Sequence, residues 1–169
     1  HRWDYDHWAS LGNEGWSYDE ILKYFKKAEH NETFDDQFHG QGGPLNVSKI
    51  RHENKPTKDF VEAGSKLYKH NEDFNGEEQE GIGFYQTTQK DGKRCSTAKA
   101  YLVPALDRPN LTVITEANVN KILIDNQKAS GVEYIDAEGQ SHILSASKEV
   151  LLCSGAFGSP QILLRSGVG

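Results

Sequence analysis

The most constraining feature of the sequence is its carboxyl-terminal segment, where an apolar run leads through very small residues into a helix-forming stretch. Residues 150–153 read Val-Leu-Leu-Cys, without polar alternation, and predict a β-strand covered on both faces. Ser154, Gly155 and Ala156 follow with almost no side chain, so a ligand could approach the backbone closely. This order is typical of the carboxyl edge of a parallel sheet, where open α/β folds bind ligands.

The helix after this turn is expected to begin at Ser159 and Pro160 and to stop at Gly167. Serine is a good N-cap, and proline at the first helical position loses no hydrogen bond. The free amides of such a helix start favour anions such as phosphate groups. The plainer alternative is a turn that binds no ligand, because small-residue turns are common and this one lacks the G-x-G-x-x-G pattern.

The length and the net charge of the chain limit the kinds of protein that it can be. The chain has 169 residues, enough for one domain of ordinary size. A net charge of −6 argues against a nucleic-acid-binding surface, which needs clustered positive charge. No apolar run is long enough to span a bilayer, and no secretory signal stands at the start.

The termini and the cysteines add two expectations. The chain contains no Met and opens on His1, which suggests an internal fragment whose parent has further amino- and carboxyl-terminal parts. The location of that parent, cytoplasmic or membrane-associated, is left open. Cys95 and Cys153 form no recognisable pair, and Cys153 in the apolar run is expected to be a small buried residue.

The amino-terminal part predicts helices separated by polar loops. Ser17 and Glu20 have capping-box spacing and predict a helix from about residue 18 to residue 30. A second amphipathic helix is expected over 56–70, and Leu45–Val47 alternates like a short strand.

Strands dominate the rest of the chain. Turn residues separate the segments that are rich in β-branched side chains. The strand candidates are residues 84–89, 111–117, 119–125, 131–135, 142–144 and 149–153. Three or four antiparallel strands therefore precede the final apolar strand.

Titratable residues give weak signals. None of the seven histidines has metal-ligand spacing, so ordinary solvated or capping histidines are expected and no metal site is predicted. The acidic pairs and runs are interpreted as solvated loops. Four basic residues near Ser96 indicate either phosphate binding or simply a charged turn; they are Lys90, Lys93, Arg94 and Lys99.

The terminal motif resembles the second signature of the glucose–methanol–choline oxidoreductases, flavoproteins that use FAD to oxidise alcohols. Its residues are Gly155-Ala156-x-x-Ser159-Pro160 and Ser166-Gly167-Val168-Gly169. Other segments are similar to the same family, and the likeness is closest to its choline-oxidising members. These segments are Asp6–Asp19, Tyr24–Glu29, Gly43–Leu45, Tyr85–Pro104 and Arg108–Leu111.

The resemblance implies a mixed α/β or α+β fold, namely part of an FAD-binding Rossmann-like domain with an inserted antiparallel β-meander and several helices. Residues 1–109 would be a helical and loop region linking the flavin and substrate domains. Residues 110–169 would be the meander and the strand–turn–helix of the FAD-binding domain.

The resemblance also implies a cofactor site. Val119 takes the position of a valine whose main chain contacts the adenine of FAD. Ser154, Gly155 and Ala156 match a segment that lies near the pyrophosphate and ribose. The family's amino-terminal G-x-G-x-x-G and its catalytic histidine are not found in these residues. We therefore expect no catalytic residue here, and we expect that this fragment alone neither holds FAD firmly nor turns over substrate.

The resemblance favours a fragment of an FAD-dependent oxidoreductase that acts on the CH–OH group of a small-molecule alcohol, choline-like or another primary alcohol, by hydride transfer to flavin. One alternative is a flavin-containing lyase of the hydroxynitrile type, which shares the scaffold. Another is a non-enzymatic nucleotide- or carbohydrate-binding module that uses the aromatic start, Trp3, Trp8 and Trp16. The sequence leaves open the substrate, the electron acceptor and the oligomeric state.

Overall fold

A computed structural model describes all residues from His1 to Gly169, and the chain divides into two compact units, residues 1–111 and 112–169. The first unit is mostly helices and loops. The second unit is a small sheet with one helix. None of the helices combines the length and the apolar character needed to cross a membrane.

Three helices form the frame of the first unit: α1 (Arg2–Ser10), α2 (Tyr18–Ala28) and α3 (Lys55–Gly64). Helix α2 begins where the capping box predicts, and the Ser17 N–H donates to the Glu20 carboxylate. It ends at Ala28, earlier than expected, because Glu29–Asn31 forms strand β1.

Two short strands lie parallel in this unit. Strand β1 (Glu29–Asn31) pairs with β2 (Leu45–Val47), and this confirms the strand that alternation predicts at 45–47. The sequence gives no sign of β1, since three residues are too few to show periodicity.

Helix α3 is shorter than the predicted 56–70. The Asn54 side chain accepts a hydrogen bond from the Thr57 N–H and caps its start. The chain leaves the helix after Gly64 because the next segment pairs with Ile82, whose N–H donates to Lys69 and whose carbonyl accepts from Asn71. Backbone groups bound in this way cannot continue a helix.

A hairpin and a short helical turn complete the first unit. Strands β3 (Gln89–Lys90) and β4 (Lys93–Arg94) pair antiparallel around a two-residue turn. The predicted strand at 84–89 is wrong for most of its length, since before Gln89 only an isolated bridge pairs Thr87 with Ser48. A π-helical turn, Ala98–Leu102, and a 3-10 turn, Val103–Ala105, follow.

The second unit contains the predicted antiparallel meander. Its strands, in spatial and chain order, are β5 (Asn118–Asp125), β6 (Lys128–Ile135) and β7 (Ser141–Ser145). Both residues of the first turn, Asn126 and Gln127, have positive φ, as a two-residue hairpin of the primed type requires. The mixed fold with its meander is thus confirmed, whereas the strand expected at 111–117 is absent.

The strand predicted at 149–153 is also wrong. These residues have no partner strand within residues 1–169, and Leu151 is 76% exposed. Cys153 is exposed rather than buried. The physical reason is that an extended segment becomes a strand only where a neighbour pairs with its backbone.

Helix α4 (Gly155–Arg165) begins four residues before the expected start. Pro160 therefore lies inside the helix, and Ser159 acts from within it by accepting a hydrogen bond from the Ser154 N–H at 3.1 Å. The predicted stop at Gly167 is confirmed: its φ is +81°, and the Val168 N–H donates to the Leu163 carbonyl in a Schellman motif.

Candidate functional site

The small-residue bend, Ser154–Ala156, is open to solvent. All three residues are exposed, and a Cβ built on Gly155 would meet no atom within 4 Å. Gly155 has φ +78°, a conformation that glycine adopts without the strain that a side chain adds. A flat ligand group can therefore lie directly against the main chain here.

The bend continues into the first turn of α4, whose electrostatics suit an anion. The first four N–H groups of a helix have no partner inside it, and the helix dipole makes this end positive. No acidic residue stands in the first turn of α4 to compete for these groups. Phosphate oxygens would find both donors and favourable charge at this position.

Val119 is the second residue of β5, which forms one edge of the meander. It is half-buried and faces Tyr134 of β6 across the ladder. The register shifts between Val119 and Lys121, so the strand is irregular immediately after the predicted adenine contact. An edge strand presents main-chain groups that the sheet does not use, and a flat base can bind to such groups.

The structure brings the elements that carry these predicted positions together. Helix α4 packs against β5, and their buried residues are Ile162 and Ile122. The Ile122 N–H donates to the Ser166 Oγ at 2.8 Å, so a hydrogen bond joins the strand to the end of the helix. The predicted adenine contact and the bend therefore lie on two elements that touch within one unit.

A buried histidine is the main site feature that the sequence did not predict. His39 is 3% exposed and lies between two carboxylates of the first unit. Its Nε2 is 2.9 Å from Asp73 Oδ2, and its Nδ1 is 3.3 Å from Glu29 Oε2. The expectation of solvated or capping histidines is wrong here, because Asp73 comes from a segment 34 residues away and no local spacing reveals it.

The hydrogen-bond arrangement around His39 favours its protonated form. Asn31 Nδ2 lies 3.0 Å from His39 Nδ1 and within 3.1 Å of acceptors on Glu29 and Gln86. When Asn31 donates its two hydrogens to Glu29 and Gln86, His39 Nδ1 can donate to Glu29. Burial opposes the charge, but the hydrogen bonds to Asp73 and Glu29 outweigh it and raise the pKa of His39.

We call these five residues, Glu29, Asn31, His39, Asp73 and Gln86, the histidine network. Ligand atoms of Asp36, His39 and Asp73 lie within 4.8 Å of one another. Both ring nitrogens of His39 are already occupied by protein groups, so the network is explained as an internal brace for the loops around it. The prediction that the chain holds no metal stays a prediction.

The basic residues near Ser96 and the tryptophans at the start of the chain are weaker candidates for ligand binding, because local structure explains both. The four basic residues near Ser96 are exposed on and after the β3–β4 hairpin, and Ser96 Oγ accepts from the Lys99 N–H as a cap. Trp8 packs edge-to-face on Trp16, with ring centroids 5.7 Å apart.

A cavity of about 640 Å³ in the first unit is lined in part by Tyr5 and Phe25 and contains none of the predicted cofactor residues.

A known protein family and several curated proteins match this chain over nearly its whole length. The family model described as GMC oxidoreductase matches residues 1–169. An alcohol dehydrogenase [acceptor] from Pseudomonas putida is 45% identical over 172 residues, covering 100% of this chain and 31% of the relative. An oxygen-dependent choline dehydrogenase from Yersinia pseudotuberculosis is 45% identical over 171 residues, covering 98% of this chain and 30% of the relative.

A similar fold is found among solved structures. An FAD-dependent oxidoreductase from Chaetomium thermophilum superposes with a TM-score of 0.88 at 28% identity, covering 98% of this chain and 31% of that one. The chain thus spans about a third of the length of the curated relatives it matches.

Proposed function

Because the chain belongs to the GMC oxidoreductase family, we propose that it forms part of the flavin-binding region of an FAD-dependent enzyme that oxidises the CH–OH group of an alcohol. FAD, when bound, supplies the acceptor for the hydride that leaves the alcohol carbon. The residues of this chain bind and orient that cofactor. The observation that carries the proposal is the open bend at the start of α4, on a chain whose full length matches the family.

The bend suits the diphosphate of the cofactor. A Cβ on Gly155 would stand in open space, so no protein group fills the position where a ligand would lie. The unpaired amides of the first helical turn can donate to phosphate oxygens, and the first turn of α4 contains no acidic residue. Ser154, Gly155 and Ala156 are thus proposed to hold the pyrophosphate and its adjoining ribose.

Val119 is proposed to contact the adenine through its main chain. Its place at the edge of the meander supports this role, since edge N–H and C=O groups can pair with a base without any particular side chain. The adenine would then bind to β5 and the diphosphate to the start of α4, two elements that are in contact.

We assign no catalytic side chain to residues 1–169, and the role proposed for residues 1–109 is to connect the flavin and substrate domains. The substrate class is a small alcohol, either choline-like or another primary alcohol. The names of two similar relatives, an alcohol dehydrogenase and a choline dehydrogenase, support this class.

The test uses the full-length protein that contains these residues. The purified protein should show flavin absorbance, and that absorbance should bleach when choline or a primary alcohol is added without oxygen. Aldehyde should form together with the bleaching, and an artificial electron acceptor should then reoxidise the flavin and allow further turnover. Absence of flavin would contradict the proposal. So would a protein that cleaves a cyanohydrin while its flavin stays oxidised in the presence of alcohols, and that result would identify a lyase.

A further inference from the structure

We propose that Ser166 is a positioning residue that fixes the register between β5 and α4, and thereby the separation between the adenine and diphosphate contacts of the cofactor. This inference rests on the proposed function, because Val119 and the bend are its two reference points. Ser166 lies at the opposite end of α4 from the bend.

The hydroxyl of Ser166 makes two hydrogen bonds at once. It accepts from the Ile122 N–H at 2.8 Å and donates to the Ile162 carbonyl at 2.6 Å. A hydroxyl is the smallest group that can be donor and acceptor together. The bond to Ile122 therefore ties a main-chain N–H of the strand to a side chain that the helix itself holds in place.

The apolar contacts between β5 and α4 do not by themselves fix the position of the helix along the strand. Ile122 and Ile162 are the buried apolar side chains of the second unit, and hydrophobic burial is non-directional, so it permits sliding and rotation. A hydrogen bond has preferred distance and angle. Among the hydrogen bonds that involve side chains, this one joins β5 directly to α4.

The end of the helix is itself rigid, so the position of Ser166 is transmitted along α4. The Schellman motif at Gly167 and Val168 fixes the last turn. The eleven residues of α4 then carry the constraint over about 16 Å to the bend, at 1.5 Å per residue. On the strand side, Val119 lies three residues before Ile122 in the same strand, across the register shift between Val119 and Lys121.

The experiment uses the full-length protein, stripped of flavin and titrated with FAD and with ADP, which carries the adenine, its ribose and the diphosphate without the flavin. The variants are Ser166→Ala and the matched pair Ser166→Thr and Ser166→Val, which have nearly the same shape but differ in the hydroxyl. Ser145→Ala, on the exposed outer strand β7, is the control. Circular dichroism reports folding, and turnover is expressed per bound flavin.

We expect Ser166→Ala and Ser166→Val to bind both FAD and ADP about tenfold more weakly, the order of effect for one such hydrogen bond. Ser166→Thr and Ser145→Ala should bind like the unchanged protein, and turnover per bound flavin should not change in Ser145→Ala. If alanine prevents folding, the Thr and Val pair gives the same comparison.

Two results would overturn the role of Ser166 alone: unchanged ADP affinity in a folded Ser166→Ala protein, or equal affinities in the Thr and Val variants. Failure of the unchanged protein to bind FAD would instead overturn the proposed function.

Discussion

The two units of the chain are stabilised in different ways. All five buried polar residues, Asn31, His39, Asn46, Ser48 and Asn71, belong to the first unit, which also buries four apolar residues. The second unit buries two isoleucines and no polar side chain. Directional hydrogen bonds thus fix the irregular segments of the first unit.

In the second unit, β5 is an edge strand of the sheet and the bend is exposed. The proposed cofactor contacts thus lie on an unpaired strand edge and on an exposed bend. The first unit, in contrast, uses its polar side chains for internal bracing.

Removal of the buried imidazole should loosen the first unit alone. In a His39→Ala variant, Glu29 and Asp73 lose their shared partner, and the local cost should be about 3 kcal/mol. Hydrogen exchange of peptides over residues 29–47 and 70–83 should accelerate by roughly a hundredfold. Peptides from β5 to β7 should exchange as before.

The exposed His52 provides the matched control, since a His52→Ala variant should leave all peptides unchanged. Equal loosening of both units in the His39→Ala variant would show that the histidine network is not a local brace.

A methyl group on the bend should weaken cofactor binding beyond any effect on stability. Gly155→Ala places a Cβ at φ +78° in open space, so the strain in the protein is about 1 kcal/mol. The same methyl group would stand between the main chain and the diphosphate, and FAD affinity should fall by about tenfold or more.

Gly139→Ala is an unusually close control for this measurement. Gly139 has φ +81° and equally open surroundings, but it lies in the turn between β6 and β7. The two variants should lose similar thermal stability, measured without FAD. Equal FAD affinities in titrations of both variants would refute the proposed contact.

The pH dependence of the two units should also differ. The pKa of His39 is raised in the folded protein, so its contribution to stability is complete below its ordinary pKa and is lost as pH rises through the raised value. Glu29, Asp36 and Asp73 are the carboxylates that face it.

Hydrogen exchange of residues 29–47, corrected for intrinsic rates, should therefore accelerate as pH rises from neutral to alkaline values. A His39→Gln variant, with a side chain that does not titrate, should lose this trend. A trend of the same slope in that variant would assign the pH dependence to other groups.

The smallest effect is expected at the predicted adenine contact. Because a main-chain contact needs no particular side chain, Val119→Ala should change FAD affinity by less than about threefold. Loss of more than tenfold in a calorimetric titration, with the meander still folded, would show that the side chain itself is essential.

Local patterns predicted the elements that local interactions determine. The helix at Tyr18–Ala28 follows from Ser17 and Glu20, and the helix stop follows from Gly167, because caps act within a few residues. The meander follows from alternation and turn residues. These parts of the fold required no knowledge of distant contacts.

Elements that depend on distant partners could not be predicted from local patterns. The apolar run Val150–Cys153 has the composition of a buried strand, but no strand of this chain pairs with it. His39 has a polar local sequence, and its burial results from a contact with Asp73. The motif indicates the bend. The motif also contains Ser166, but nothing in the sequence indicates that Ser166 bonds to Ile122, because the two residues are 44 positions apart.

An experimental structure of the full-length protein with FAD would test the proposed cofactor contacts most directly. We expect adenine within hydrogen-bond distance of the Val119 main chain and diphosphate oxygens against the amides of the bend. An adenine bound by other residues, with the bend covered by protein side chains, would contradict it.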